Sequence, residues 1–175
     1  MNPTEDAGKS VFHGKLFTVK NISKVLPDGS DKVYELIDIQ NAITVLPIDD
    51  ENNVYCVEQY RIGADQSLLE LPAGKIEKGE DPLVAARREL REEIGMDANE
   101  IIHVGNFYMS PGYANEYMYC YLARGLFQSR LDPDADEFIN LVKIPLEKLD
   151  AMVAAGEIED SKTLAVLSLA RSKIK

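Results

Sequence analysis

The 175-residue chain has only two cysteines and two histidines, and each shortage removes a class of chemistry. Cys56 and Cys120 lie in separate strand-like runs with no CxxC or Cys/His spacing, so buried reduced thiols are expected rather than a disulfide or metal framework. His13 and His103 stand alone, which leaves neither a zinc ligand set nor a catalytic triad. No apolar run approaches the ~20 residues that a membrane span requires. The opening MNPTEDAGKS lacks a basic region followed by an apolar one, so no secretory signal is read and a cytoplasmic protein is expected. Basic residues are outnumbered 19 to 30, and the net charge of −11 argues against a nucleic-acid backbone or an anionic membrane as partner. Internal repeats, low-complexity segments and interdomain linkers are also missing.

What is present describes one globular domain. Hydrophobic residues at 45% and charged residues at 28% are ordinary for a folded chain of this length. A flexible polar tail is expected over residues 1–10, then a single domain over 11–175. Leu16–Val25 and Lys32–Ile39 alternate around the turn Pro27-Asp28-Gly29, which predicts an N-terminal antiparallel hairpin within 14–40. Further strands are expected at 42–48, 54–60, 101–108, 117–123 and 138–144. Helices are expected from Pro145 to Gly156 and over 161–173. Strands mixed with a few helices point to an α/β fold.

The most informative stretch is 74–96, GKIEKGEDPLVAARRELREEIGM. Asp81 suits an N-cap and Pro82 the first helical position. Leu83, Ala86, Leu90 and Ile94 recur at helical spacing as one apolar stripe, and Gly95 suits a left-handed helix end. Glu89, Glu92 and Glu93 stand at i, i+3 and i+4, so three carboxylates share the other face. Such a face is either a site for a hard divalent cation or a solvated helix surface of mixed charge.

The spacing of Gly74, Glu80, Arg88-Glu89-Leu90, Glu92-Glu93 and Gly95-Met96 resembles the Nudix box at every fixed position. Nudix hydrolases cleave nucleoside diphosphates linked to another moiety with Mg²⁺ or Mn²⁺, and the family's α/β/α sandwich of mixed sheets is the fold that the resemblance implies. A metal would also reconcile so acidic a protein with a phosphate substrate. Gln59-Tyr60-Arg61, Glu70-Leu71-Pro72-Ala73-Gly74, Ser110-Pro111-Gly112 (Pro111 being 16 residues after Gly95) and the tail 156–163 are similar to the ADP-ribose pyrophosphatase branch.

That resemblance implies roles. Glu89, Glu93 and the Ala73 carbonyl would hold the metal, Glu92 would bind the metal or a metal-bound water, and Arg88 would orient the glutamates. Glu137, with Asp136 next, would be the general base, although DPDADE is equally a polar turn. Arg61, Glu35, Ser110, Pro111, Gly112 and Glu116 would contact substrate. For Arg61 a structural ion pair is the alternative, and for Pro111-Gly112 a type II turn. Tyr34 where the branch has arginine, and Ile39-Gln40-Asn41 where it has a His-Pro-Gly-like segment, bear on base preference. The implied reaction is hydrolysis of ADP-ribose to AMP and ribose 5-phosphate by a homodimer. Hydrolysis of ADP-glucose or GDP-mannose as well, or a non-catalytic ADP-ribose sensor, are the rival readings, and Tyr113 stands near where diadenosine polyphosphate hydrolases carry a tyrosine.

Overall fold

Ala42–Ile48 reads AITVLPI, and all seven residues are buried, so this strand must be covered on both faces. The computed structural model describes residues 8–131 and 139–174, and in it this strand is β4, within a seven-stranded sheet. In chain order the strands are β1 (Lys9–His13), β2 (Phe17–Val25), β3 (Asp31–Ile39), β4 (Ala42–Ile48), β5 (Asn53–Arg61), β6 (Gln66–Glu70) and β7 (Ala73–Lys75). Helix α1 (Pro82–Glu93) precedes β8 (Met96–Tyr108), β9 (Tyr117–Gln128) and β10 (Asn140–Pro145), and α2 (Leu146–Ala155) and α3 (Ser161–Ala170) follow. The large sheet runs β10-β5-β4-β9-β8, with β6 paired to β5 and β7 to β4. A separate antiparallel sheet, β1-β2-β3, contains the expected hairpin.

The described chain divides into two compact units, residues up to 41 with 107–118, and 42–106 with 119 onward. In the larger unit Ile43 and Val45 of β4 join Val57, Ala85, Ala86, Leu90, Ile94 and Tyr121 in one apolar cluster under α1. Burying Leu90 fully contributes about 1.5–3 kcal/mol. Helix α3 also packs on β4, and its Val166 is fully buried.

Local chemistry sets the ends of α1 as the sequence predicts. Asp81 Oδ1 accepts from the Leu83 N–H at 2.8 Å, and Pro82 occupies the first turn. Ile94 is the last capping residue, and Gly95 follows with φ of 70°, a left-handed value that favours glycine. The apolar stripe needs one correction: Leu83 is 39% exposed, while Ala85 is fully buried. The stripe turns away from Leu83 because the inner face also carries Glu89 and Glu93.

Other boundaries differ as well. Lys9 and Ser10 pair with Asn21 and Lys20 as part of β1, an element with no alternating apolar signal; residues 1–7 of the expected tail lie outside the described residues. Strand β8 begins at Met96, five residues earlier than expected, since pairing continues through the polar Asp97, Asn99 and Glu100. Phe138, expected to open the last strand, also lies outside the described residues, and β10 starts at Asn140. Cys56 and Cys120 are buried and form no disulfide, and burial pushes both thiols up to about 12.

Candidate active site

Strand β7 pairs antiparallel with β4, matching Thr44 to Ala73 and Ile43 to Gly74, and brings the Ala73–Gly74 backbone against α1. Glu93 Oε2 accepts from the Ala73 N–H at 3.0 Å. The Glu89 carboxylate lies so close over Gly74 that a Cβ there would overlap its oxygens. The constraint at Gly74 is one of space and not of backbone angle: a side chain there would have to displace the Glu89 carboxylate. Glu89 and Glu93 are 7% and 8% exposed, so this face of α1 is no ordinary solvated surface.

Arg88 is the hub of the charged face. Its Nε and Nη2 each lie 3.0 Å from a Glu80 oxygen, and Nη2 also donates to the Lys75 carbonyl at 2.9 Å. Nη1 donates to Glu89 Oε1 at 2.6 Å and to Glu92 Oε2 at 2.9 Å. The Glu80 carboxylate first, then Glu89 and Glu92 against the cost of burial, hold the guanidinium above its ordinary value. Arg88 reciprocally holds Glu80 below the usual carboxylate range. Glu80 also accepts from the Glu77 N–H, which ties the loop before α1 to the same hub.

Oxygen donors fixed on a helix suit a hard divalent cation, so the buried Glu89 and Glu93 and the half-buried Glu92 fit Mg²⁺ or Mn²⁺ in donor chemistry. The carboxylates are engaged by Arg88 and by the Ala73 N–H, and among the described residues no three His, Cys, Asp or Glu side chains are gathered as a preformed metal cage.

Arg61, at the end of β5, belongs to a second charged group. Its Nε and Nη2 donate to Glu70 Oε1 and Oε2 at 2.8 and 2.6 Å, a bidentate fork. Glu70 is 1% exposed, and Lys162 Nζ donates to the same Oε2 at 2.6 Å. The Glu70 hydrogen bonds raise Arg61 above its ordinary value against burial, and the charge of Glu93 adds to the rise, so Arg61 lies in the field of the α1 carboxylates. Burial pushes Glu70 up, and its bonds from Arg61 and Lys162 more than offset this, leaving it below 4.5. Glu70 and Lys162 had no assigned role in the sequence, although both stand in stretches similar to the ADP-ribose pyrophosphatase branch. An isolated glutamate and a lysine 92 residues later carry no local signal of pairing.

The remaining expected substrate residues lie in the smaller unit. Glu35 is exposed on β3 opposite Asn21. The Ser110 carbonyl accepts from Tyr113 and Ala114 N–H groups at 3.1 and 2.9 Å, so Pro111 and Gly112 are the centre of a turn. Gly112 has no positive φ, which excludes the type II alternative. The loop is stitched to β3: the Ile37 N–H donates to the Tyr113 carbonyl, and Asn115 Oδ1 accepts from the Ile39 N–H. The Glu116 carbonyl accepts from the Met109 N–H at the base of that loop. Glu137 and Asp136 lie outside the described residues.

The NUDIX domain profile matches residues 38–167, nearly the whole span from β4 to α3. The chain belongs to the NUDIX family. This NUDIX protein is 35% identical over 159 residues to the ADP-ribose pyrophosphatase of Bacillus subtilis (strain 168), covering 90% of this chain and 86% of that one. It is 36% identical over 158 residues to the methanol dehydrogenase activator of Bacillus methanolicus, covering 89% and 85%. A crystal structure of an ADP compounds hydrolase superposes with a TM-score of 0.85 at 26% identity, covering 99% of this chain and 95% of that one. The mixed α/β architecture with its antiparallel hairpin sheet is thus the Nudix fold.

Proposed function

We propose that this NUDIX protein is a hydrolase that adds water across the diphosphate bond of ADP-ribose, releasing AMP and ribose 5-phosphate. The observation that carries the reading is the pair of buried carboxylates, Glu89 and Glu93, packed on the Ala73–Gly74 backbone beside Arg88. A helix that only bounded a fold would gain nothing from burying two acids. The substrate follows from the activities for which its relatives are named, an ADP-ribose pyrophosphatase and an ADP compounds hydrolase.

In this reading Glu89, Glu92, Glu93 and the Ala73 carbonyl would hold Mg²⁺ or Mn²⁺, which when bound would supply charge neutralisation of the diphosphate and a water of lowered pKa. Arg88 fixes the glutamates in one orientation through charge-assisted hydrogen bonds. Arg61, its side chain 40% exposed beyond the Glu70 fork, contacts the diphosphate or the terminal ribose. Glu137, or Asp136 beside it, takes the proton from the attacking water. Ser110, Pro111, Gly112 and Glu116 line the terminal ribose, and Glu35 contributes to the nucleoside side.

Residues 11–175 act as one functional domain, and the protein works as a homodimer. Support for the homodimer is the number of exposed apolar side chains on the hairpin sheet, among them Val11, Phe12, Val25 and Val33. A cytoplasmic setting agrees with two buried thiols and no disulfide. No helix of the described residues is long and apolar enough to cross a membrane.

The test is a Mg²⁺-dependent hydrolysis screen on ADP-ribose, ADP-glucose, GDP-mannose and diadenosine polyphosphates, run beside Glu93→Gln. ADP-ribose is expected to lead in kcat/KM by tenfold or more, about 1.4 kcal/mol of transition-state binding. Glu93→Gln keeps an acceptor for the Ala73 N–H and is expected to lose about 100-fold or more in kcat while still binding ADP-ribose, as loss of a main electrostatic group does. Equal rates on the sugar nucleotides point to the broader hydrolase. Tight binding with no turnover by the unmodified protein points to the sensor.

A further inference from the structure

The first turn of α3 reaches into the segment that carries Ala73 and Gly74. Asp160 caps the helix, accepting from the Thr163 N–H at 2.9 Å and from Thr163 Oγ1 at 2.6 Å. Thr163 Oγ1 in turn accepts from the Leu71 N–H at 2.9 Å. Lys162 Nζ bridges Asp160 Oδ1 at 2.8 Å and Glu70 Oε2 at 2.6 Å, and Glu70 holds Arg61 in its fork. Asp160, Lys162, Thr163 and Glu70 are all buried, and Arg61 is the one member of the group that reaches solvent.

Burying a lysine between two carboxylates is a poor way to gain stability, because well-packed apolar side chains of similar volume commonly do as well or better. Its effect is directional. Lys162 occupies Glu70 Oε2 alongside Arg61 Nη2, so the Glu70 carboxylate cannot swing and the guanidinium has one orientation. Meanwhile the stretch from Glu70 to Ala73 is held from two sides, by Thr163 at the Leu71 N–H and by Glu93 at the Ala73 N–H.

We propose that Lys162 is a positioning residue for the diphosphatase reaction, acting through Glu70 to aim Arg61, with Asp160 and Thr163 fixing the Leu71–Gly74 backbone beneath Glu89 and Glu93. The inference rests on the function proposed above. Lys162 touches no substrate; it determines where the groups that do so stand.

The experiment compares Lys162→Met, Lys162→Arg, Arg61→Ala and the double variant Arg61→Ala/Lys162→Met by kcat and KM on ADP-ribose. Amide hydrogen exchange of residues 70–75 is measured alongside in the substrate-free protein. Lys162→Met is expected to lower kcat/KM by roughly 10- to 100-fold, the scale on which misplacement by about an ångström acts. Lys162→Arg should recover most of that loss. The double variant should fall by less than the product of the two single losses, because both changes act on one guanidinium. Exchange at 70–75 should quicken in Lys162→Met while exchange in α1 stays unchanged. Unaltered kinetics and exchange, or losses that multiply in full, would overturn the assignment. If the unmodified protein hydrolyses none of the substrates, the diphosphatase reading fails, and exchange at 70–75 alone then decides whether Lys162 positions the segment. Should Lys162→Met fail to fold, Thr163→Val cuts the Leu71 tether at similar volume and carries the same expectations for exchange and kcat/KM.

Discussion

Two arginines, Arg88 and Arg61, are each held by acids that are buried or half-buried, yet they are held differently. Arg88 spends all three of its nitrogens on Glu80, Glu89, Glu92 and the Lys75 carbonyl, and its side chain is 23% exposed. Arg61 makes one fork to Glu70 with Nε and Nη2 and stays 40% exposed. A guanidinium saturated on every edge organises its neighbours and has nothing left for a ligand. One gripped along a single edge is oriented but keeps an edge for a diphosphate. In the proposed reaction, two residues of the same type would thereby divide the work between ordering carboxylates and meeting substrate.

The largest effect should come from breaking the saturated hub. Arg88→Ala leaves Glu80, Glu89 and Glu92 facing one another without their shared cation, at a cost of about 2–4 kcal/mol. For a chain of this size that corresponds to a melting temperature lower by roughly 5–15 °C. Turnover should fall together with stability, and a melt beside a kinetic assay checks both. If the melting temperature stays within about 1 °C, the hub is a surface ion pair of little consequence.

Arg61→Lys sharpens the contrast. It keeps the charge and loses the planar fork, so stability should change by less than about 1 kcal/mol. Activity should still fall by about tenfold in kcat/KM, the scale of one lost bidentate contact. A variant that loses stability but not activity would make Arg61 a structural partner of Glu70 and remove the distinction from Arg88.

The smallest effect is read from acid. Glu80 and Glu70 both sit below their ordinary 4.5, for different reasons: Arg88 hydrogen bonds draw Glu80 down, while burial opposes and Arg61 and Lys162 prevail at Glu70. Carboxyls with lowered folded values add stability that is present above pH 4.5 and lost as pH falls below it. Asp49 belongs to neither arginine and offers an internal reference. Burial pushes it up, but Lys143 Nζ at 2.7 Å and the Asn53 and Glu51 N–H groups outweigh this and hold it at about 2, against 3.8 ordinarily. Its share is lost between pH 3.8 and about 2, and Asp49→Asn should remove about 1 kcal/mol of the stability change across that window after allowance for solvent screening. Denaturant titrations across pH 2–6 measure it, and a slope unchanged in Asp49→Asn would dismiss the assignment.

Much of this molecule was legible in the residues. The span and caps of α1, the core strands at 42–48 and 53–61, and the left-handed turn at Gly95 follow from short-range rules, so local sequence carries them. Helical spacing alone put Glu89, Glu92 and Glu93 on one face, whereas the roles expected of them and of Arg88 came from the resemblance to the Nudix box. Strand β1 and the early start of β8 were not, because pairing with a neighbouring strand overrides weak polar propensities.

The sequence by itself determined that three carboxylates and an arginine share one helical face, and that this face follows a glycine-bearing loop. Only the tertiary structure decided which of those acids are buried, since that depends on β7 passing under α1 with Gly74 facing Glu89. It likewise decided that Arg61 is gripped by Glu70 and that Lys162, 92 residues along the chain from Glu70, closes the grip. Helical spacing is a property of neighbours in sequence, whereas the pairing of buried charges depends on which distant segments the core brings together.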